Sequence, residues 1–263
     1  NSLGGRFLNA YSMDMGMSIS LNGLNYSDST FLSGVDADTL YDPDQSLFYI
    51  HNNSDMYLSN MDILSHRNST VFEFYQTDIY VRNSSINMVN GKWFQAFRES
   101  NVYMDSVMFI GEKTVGEIDN EGEGNFELNN STMYSIEPRY MLHEYADSTL
   151  LTNTLNVIGA NNFSINSSVI WSGSGNSLSM EPAPTVNNVF FSIFTANEET
   201  MDAIDGSQNL HLNPLFCSDS TLLVAENSPA IGNGEGGTNI GGVDVGCDPI
   251  LFAPIITILD QNG

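Results

Sequence analysis

Three tyrosines, Tyr57, Tyr80 and Tyr103, each stand between two apolar residues, in Met56-Tyr57-Leu58, Ile79-Tyr80-Val81 and Val102-Tyr103-Met104. Polar residues flank them at matching offsets. Asp55, Asp78, Asn101 and Asn125 lie on one side, and Ser59, Arg82, Asp105 and Asn129 on the other; Glu127 takes the tyrosine's place in the fourth unit. If the apolar residues point inward, the tyrosines and their flanks share an outer face. Aromatic faces take the apolar side of a pyranose, and polar rows hydrogen-bond its hydroxyls. The pattern predicts a ligand platform of Tyr57, Tyr80, Tyr103, Asp55 and Asp78 for a polysaccharide or cell-surface glycan. The competing reading is structural, because tyrosine favours strands and stacked aromatics stabilise a sheet without binding anything.

The same face offers a weaker catalytic set. Asp105 and Glu127 could act as paired carboxylates beside Arg82, as could Asp78 with Asp105. Among 32 acids some pairs meet by chance. Acid runs also propose cation sites: Asp36, Asp38, Asp42 and Asp44, and then Glu117, Asp119, Glu121 and Glu123 alternating along one loop. Calcium takes oxygen ligands from such loops, but neither run has EF-hand spacing, and each also reads as a solvated acidic loop. No cofactor is required on this reading, and a structural calcium is the one ion expected. His51, His66, His143 and His211 show no metal-ligand spacing. Gly232, Gly234 and Gly237 satisfy a dinucleotide pattern with no helix signal behind it. No Gly-x-Ser-x-Gly elbow occurs.

What must hold these residues in line is a repeat. The apolar–any–apolar motif begins at Met56, Ile79, Val102 and Phe126, with a looser copy at Leu150. A small polar residue follows each start: Asn60, Asn83, Ser106, Asn130 and Thr154. A second apolar cluster precedes each, around Phe48, Val71, Phe94, Ile118 and Leu142. Short strands separated by Asn, Ser, Asp and Gly, in units of about 22–24 residues, match one coil of a right-handed parallel β-helix. Stacked coils about 4.8 Å apart bury a core that no single coil can close. The recurrent Asn suits left-handed turn geometry. Several Asn-x-Ser/Thr sequons, among them Asn83 and Asn130, coincide with that turn ladder. The expected class is all-β, and a β-sandwich is the structural alternative.

The rhythm breaks after Leu150, since Phe163-Ser164-Ile165 follows too soon for a full coil. Either a coil is truncated there or the Leu150 alignment fails. The chain divides into residues 1–45 as an N-terminal coil and cap, 46–191 as coils, 192–250 as a loop and closing segment, and 251–263 as a linker or the start of a further domain. Residues 192–212 read as an irregular loop. The only cysteines, Cys217 and Cys247, suit one disulfide of an oxidising compartment; the alternative is two buried thiols.

Asn213-Pro214-Leu215-Phe216-Cys217, then Glu226-Asn227-Ser228-Pro229-Ala230-Ile231, Asn239-Ile240-Gly241 and Gly246-Cys247 resemble the terminal segment of many secreted bacterial proteins of the pectin-lyase-like right-handed β-helix superfamily. The resemblance covers about 35 residues closely and the coils loosely. It implies a fold and a secreted setting; members include polysaccharide lyases, glycoside hydrolases and adhesins, so it implies no single activity. A formal charge of −25 repels phosphate backbones and anionic headgroups, which argues against nucleic-acid and membrane-surface partners. No apolar run approaches the roughly 20 residues of a membrane span. The chain begins mid-pattern and reads as a piece of a longer secreted or cell-surface protein. The expected function is a non-enzymatic glycan-binding or adhesive module. The alternatives are a carbohydrate-active enzyme, lyase or hydrolase, and a structural stalk that self-associates end to end.

Overall fold

A computed structural model of the chain describes residues 8–11, 18–27, 47–51, 55–119, 124–137, 153–158, 162–180, 186–218 and 221–251. Among the described residues, apart from one short helix and two single-turn 3-10 segments, the regular elements are strands, and they wind into a parallel β-solenoid of about seven turns. Three sheets run the length of it. The first stacks β2 (Ser18–Asn22), β5 (Asp55–Ser59), the starts of β7 (Asp78–Phe97) and β8 (Asn101–Asp119), β9 (Asn125–Asn129), β12 (Asn162–Asn166) and β15 (Val186–Phe190). The second stacks β3 (Asn25–Ser27), the start of β6 (Asp62–Tyr75), the middles of β7 and β8, β10 (Thr132–Ser135) and β13 (Val169–Ser172). The third runs from β1 (Leu8–Tyr11) and β4 (Phe48–His51) through the ends of β6, β7 and β8 to β11 (Leu155–Ile158) and β14 (Leu178–Met180).

Period-two alternation sends one row of each strand into the core. In the first sheet Met56, Ile79, Val102, Phe126 and Phe163 are buried in one column, with Leu58, Val81, Met104, Leu128, Ile165 and Val189 in the next. Phe126 stacks on Phe163 at 5.5 Å and on Phe94 at 5.9 Å, so aromatic columns fill the interior from coil to coil. Each such side chain removed from water contributes about 1.5–3 kcal/mol. Gly116 is required where the third sheet passes Phe94, because a Cβ there would lie 2.6 Å from the Phe94 ring.

The corner between the first and second sheets repeats a single device. Asn60, Asn83, Ser106, Asn130, Ser167 and Phe191 all take positive φ, between 46° and 56°. Asn adopts that region at low cost, which explains its recurrence. One residue further, in several coils, a buried serine reaches back to the preceding coil. Ser84 Oγ accepts from Met61 N–H (3.2 Å), Ser131 Oγ from Val107 N–H (3.0 Å), Ser168 Oγ from Ser131 N–H (3.2 Å) and Ser192 Oγ from Ser168 N–H (3.2 Å). Each hydroxyl donates to the carbonyl two residues before it. The Asn-Ser dipeptides of the two sequons at Asn83 and Asn130 are thus parts of the turn.

Two expectations are corrected. The partner of Phe126 is Phe163, in a coil of 37 residues, so Leu150 is not its successor and Ser167 rather than Thr154 takes the turn position. Leu142 and Leu150 lie outside the described residues, while Thr154 immediately precedes β11 in the third sheet. The 192–212 segment is a shortened final coil. Ile193 bridges Val169 and Leu210, Ala196 bridges Leu178, and Asp205 bridges Asn188. Within it α1 (Glu198–Ala203) is capped by Asn197, whose Oδ1 accepts from Thr200 N–H at 2.8 Å. Ala196, Met201, Ala203 and Ile204 pack against the last aliphatic rows.

Residues 213–250 turn back along the outside of the second sheet. Val224, Ala230, Ile240 and Val243 bury a second, smaller core against Val169 and Ile193. Phe216 stacks on Tyr134 at 4.7 Å, β16 (Val224–Ala225) pairs with β17 (Val245–Cys247), and Cys217 is disulfide-bonded to Cys247.

Candidate functional site

On the outer face of the first sheet Tyr57, Tyr80, Tyr103 and Glu127 occupy one row, in register from β5 to β9. Tyr57 and Tyr80 stack with centroids 4.8 Å apart and planes 6° from parallel; Tyr80 and Tyr103 follow at 5.0 Å and 9°. The spacing is the strand spacing itself, so sheet geometry sets the aromatic period. Offset stacking covers part of each ring with its neighbour. Tyr57, 43 % exposed, begins the stack and presents the most surface, while Tyr80 and Tyr103 are half-buried.

The row beside the tyrosines is a directional chain of amides. Asn101 Nδ2 donates to Asp78 Oδ1 at 2.6 Å, Asn125 Nδ2 donates to Asn101 Oδ1 at 2.5 Å, and the Asn162 amide donates to Asn125. Asp78 ends the chain, and Asp55 lies in register one coil before it. Both acids flank the exposed half of the tyrosine stack. Burial pushes the Tyr80 phenol above its usual range, reinforced by Asp78, the two neighbouring tyrosines and Asp55. Burial does the same to Tyr103, with Asp78 and Glu127 adding to it. Near neutral pH these phenols are hydrogen-bond donors beside carboxylate acceptors.

On the far side Ser59, Arg82, Asp105 and Asn129 form the third row. The structure thus brings together every first-sheet residue singled out by spacing. It also shows the candidate acids already bonded: Asp105 Oδ1 accepts from Asn130 Nδ2 at 3.1 Å, and Glu127 Oε1 from Asn129 Nδ2 at 2.6 Å. Arg82 is exposed, in register with Asp105.

The acidic 117–123 run is not one loop, since Glu117 and Asp119 belong to β8. Glu117 is buried and engaged: Lys92 Nζ lies 2.7 Å from its Oε2, and Gln95 Nε2 donates to its Oε1 at 2.7 Å. Burial lowers the Lys92 pKa, and Glu117 opposes that shift. Spacing gave no hint of this pair; the one available signal was a lysine immediately before the apolar pair Trp93-Phe94. Asp36, Asp38, Asp42, Asp44, Glu121 and Glu123 lie outside the described residues. Among the described residues no three His, Cys, Asp or Glu side chains gather into a metal-sized group. No described helix is long and apolar enough to cross a membrane.

No family model, curated protein or solved structure matches the chain.

Proposed function

We propose that this chain is a secreted or cell-surface module of the pectin-lyase-like right-handed β-helix type, non-enzymatic, binding or adhering to glycan along the outer face of its first sheet. The observation that carries the reading is the register of Tyr57, Tyr80 and Tyr103 beside Asp55 and Asp78, a strip of aromatic surface with donors and acceptors along its edge. A linear polysaccharide laid along the solenoid axis would meet one aromatic residue per coil. Tyr57 would supply a ring face at the open end, and the phenols and carboxylates would bond hydroxyls. The engagement of Asp105 and Glu127 by asparagine amides favours binding over acid–base catalysis on this face. The disulfide supports an oxidising exterior. Structural calcium and end-to-end association of solenoids remain part of the proposal as accessory features.

A polysaccharide array, run with and without calcium, tests it by comparing the native chain with Tyr57→Ala and with Tyr57→Ala/Tyr80→Ala/Tyr103→Ala. A retained, undegraded glycan signal that weakens in the first variant and disappears in the second is the expected result. Release of shortened product would replace binding with catalysis. Absence of any glycan signal, or binding equal in the folded triple variant, would leave the tyrosines as sheet-stabilising residues on a stalk.

A further inference from the structure

The tyrosine column ends differently at its two ends. Beyond Tyr103 the next coil places Glu127 in the row, half-buried and bonded to Asn129. Before Tyr57 the row continues with Ser20, exposed and in register across the β2–β5 pair. A hydroxymethyl group covers almost none of a phenol ring, so one face of Tyr57 stays open, and Tyr57 is the most exposed of the three. The rings below it stack at 4.8 and 5.0 Å, one strand spacing apart. Over Ser20 the column thus stops one rung short, leaving room for a ring at the next step of the same stack.

The charge beside that rung has one sign. Asp55 is exposed two residues before Tyr57 on the same face, and among the described residues no lysine or arginine pairs with it. Asp78 lies in register one coil on, with its Oδ1 bonded to Asn101. Arg82 is the one cation of the three rows; it stands in that next coil on the opposite flank, with Asp105 in register. Burial raises the Tyr80 phenol most, and Asp78 and Asp55 add to it, so the field of the two acids reaches the stack. The face of an aromatic ring attracts a cation as the carboxylates do. A chain of formal charge −25 adds the same sign at longer range.

We infer that the open rung over Ser20 takes one pyranose ring of an amine-bearing glycan, its apolar face on Tyr57 and its ammonium toward Asp55. The inference rests on the glycan-binding reading above and narrows it to a substrate class, a cationic glucosamine-type polysaccharide rather than a neutral or uronic-acid one. Ser20 selects by leaving the Tyr57 face uncovered, and Asp55 selects by charge. Stacking holds the ring, and a charge-assisted hydrogen bond to the carboxylate holds the amine.

Calorimetric titration tests this with three probes: a β-1,4-glucosamine hexamer, its fully N-acetylated counterpart and a hexagalacturonate. The glucosamine hexamer is expected to bind the native chain, less tightly as salt rises. The acetylated hexamer should bind roughly tenfold more weakly or worse, having lost a hydrogen bond to a charged group, and the galacturonate should not bind. Ser20→Tyr completes the column and should abolish binding, while Asp55→Asn, an isosteric change at an exposed site, should bring the glucosamine hexamer down to the level of the acetylated one. Equal affinity for the amine and acetylated hexamers overturns the inference, as does undiminished binding in folded Ser20→Tyr or in Asp55→Asn. Glucosamine binding that survives in the triple-tyrosine variant is bulk attraction of opposite charges and overturns it too. A neutral glycan lost in the triple variant but indifferent to Ser20→Tyr overturns the open rung and leaves the glycan face standing. Absence of binding to any probe or array glycan removes both.

Discussion

Lys92 Nζ stands 2.7 Å from Glu117 Oε2 with both residues almost fully removed from solvent, the lysine at 1 % exposure. Burial of two opposite charges is costly, and their attraction with the Gln95 hydrogen bond offsets it only while all three partners are present. Lys92→Met or Glu117→Gln alone should therefore cost about 3–5 kcal/mol, because each strands a buried charge. Lys92→Met with Glu117→Gln keeps the acceptor for Gln95 and removes both charges. It should be far milder than the sum of the single changes, a difference that urea denaturation of the four-member cycle measures.

The serine ladder makes a second prediction. Ser131→Ala removes a hydroxyl that accepts from Val107 N–H and donates to Asn129 O, leaving a buried donor unpaired. The cost should be about 1–3 kcal/mol. Ser168→Ala should cost a similar amount, and the double variant should depart from additivity because the Ser131 N–H donates to Ser168 Oγ. Chemical denaturation with hydrogen exchange at Val107 and Ser131 reports it.

Asn83 sits at φ 47° on the solvent side of the corner. Asn83→Gly should be close to neutral, whereas Asn83→Val should cost about 1–2 kcal/mol from the left-handed backbone alone. Thermal melts of the two variants make the comparison. Equal loss in both would assign the position to a side-chain role instead.

Tyr80 and Tyr103 have folded-state pKa values raised above 10.0 by burial and neighbouring acids. On raising the pH, the unfolded chain releases these phenolic protons first, so the folded state holds more protons and stability falls. The contribution is fully present below pH 10.0 and lost as pH climbs through the folded values. Tyr80→Phe/Tyr103→Phe should flatten that alkaline fall. Phenolate absorbance of the native chain should show a late-titrating component that the double variant lacks.

Reduction of Cys217–Cys247 opens a loop of sequence separation 30, which chain entropy values at roughly 3–4 kcal/mol. Because that loop closes only the smaller core of Val224, Ala230, Ile240 and Val243, the loss should be local. Hydrogen exchange under reducing conditions should accelerate across 213–250 and leave Val81, Met104 and Leu128 protected.

Much of the coil geometry was legible from residues 55–130, where each coil repeats with a separation of 23 or 24 residues. Every residue of the tyrosine, acid–amide and Ser59–Asn129 rows fell in the predicted column. The legibility ended where coil length changed. Phe163-Ser164-Ile165 with Ser167-Ser168 carries the apolar–any–apolar motif and the turn-then-serine signal, but 37 residues after Phe126 a fixed period points to Leu150. The final coil was hidden because its strands shrink to single bridges at Ile193, Ala196 and Asp205. Two-residue periodicity has nothing to act on there. Lys92 and Glu117 were illegible for another reason: they meet through a corner, from adjacent coils, at no shared offset in the motif.

The disulfide also determines how the chain would carry load. Tension applied beyond Cys247 passes through the sulfur–sulfur bond to Cys217, bypassing the glycine-rich stretch between them. From Cys217 it enters the shortened last coil by way of Phe216 and Leu215, beside the Tyr134 ring. The side segment thus stays slack under traction while the stacked coils bear the strain, and its contacts with Thr132 and Ser167 are spared until the solenoid itself begins to unwind.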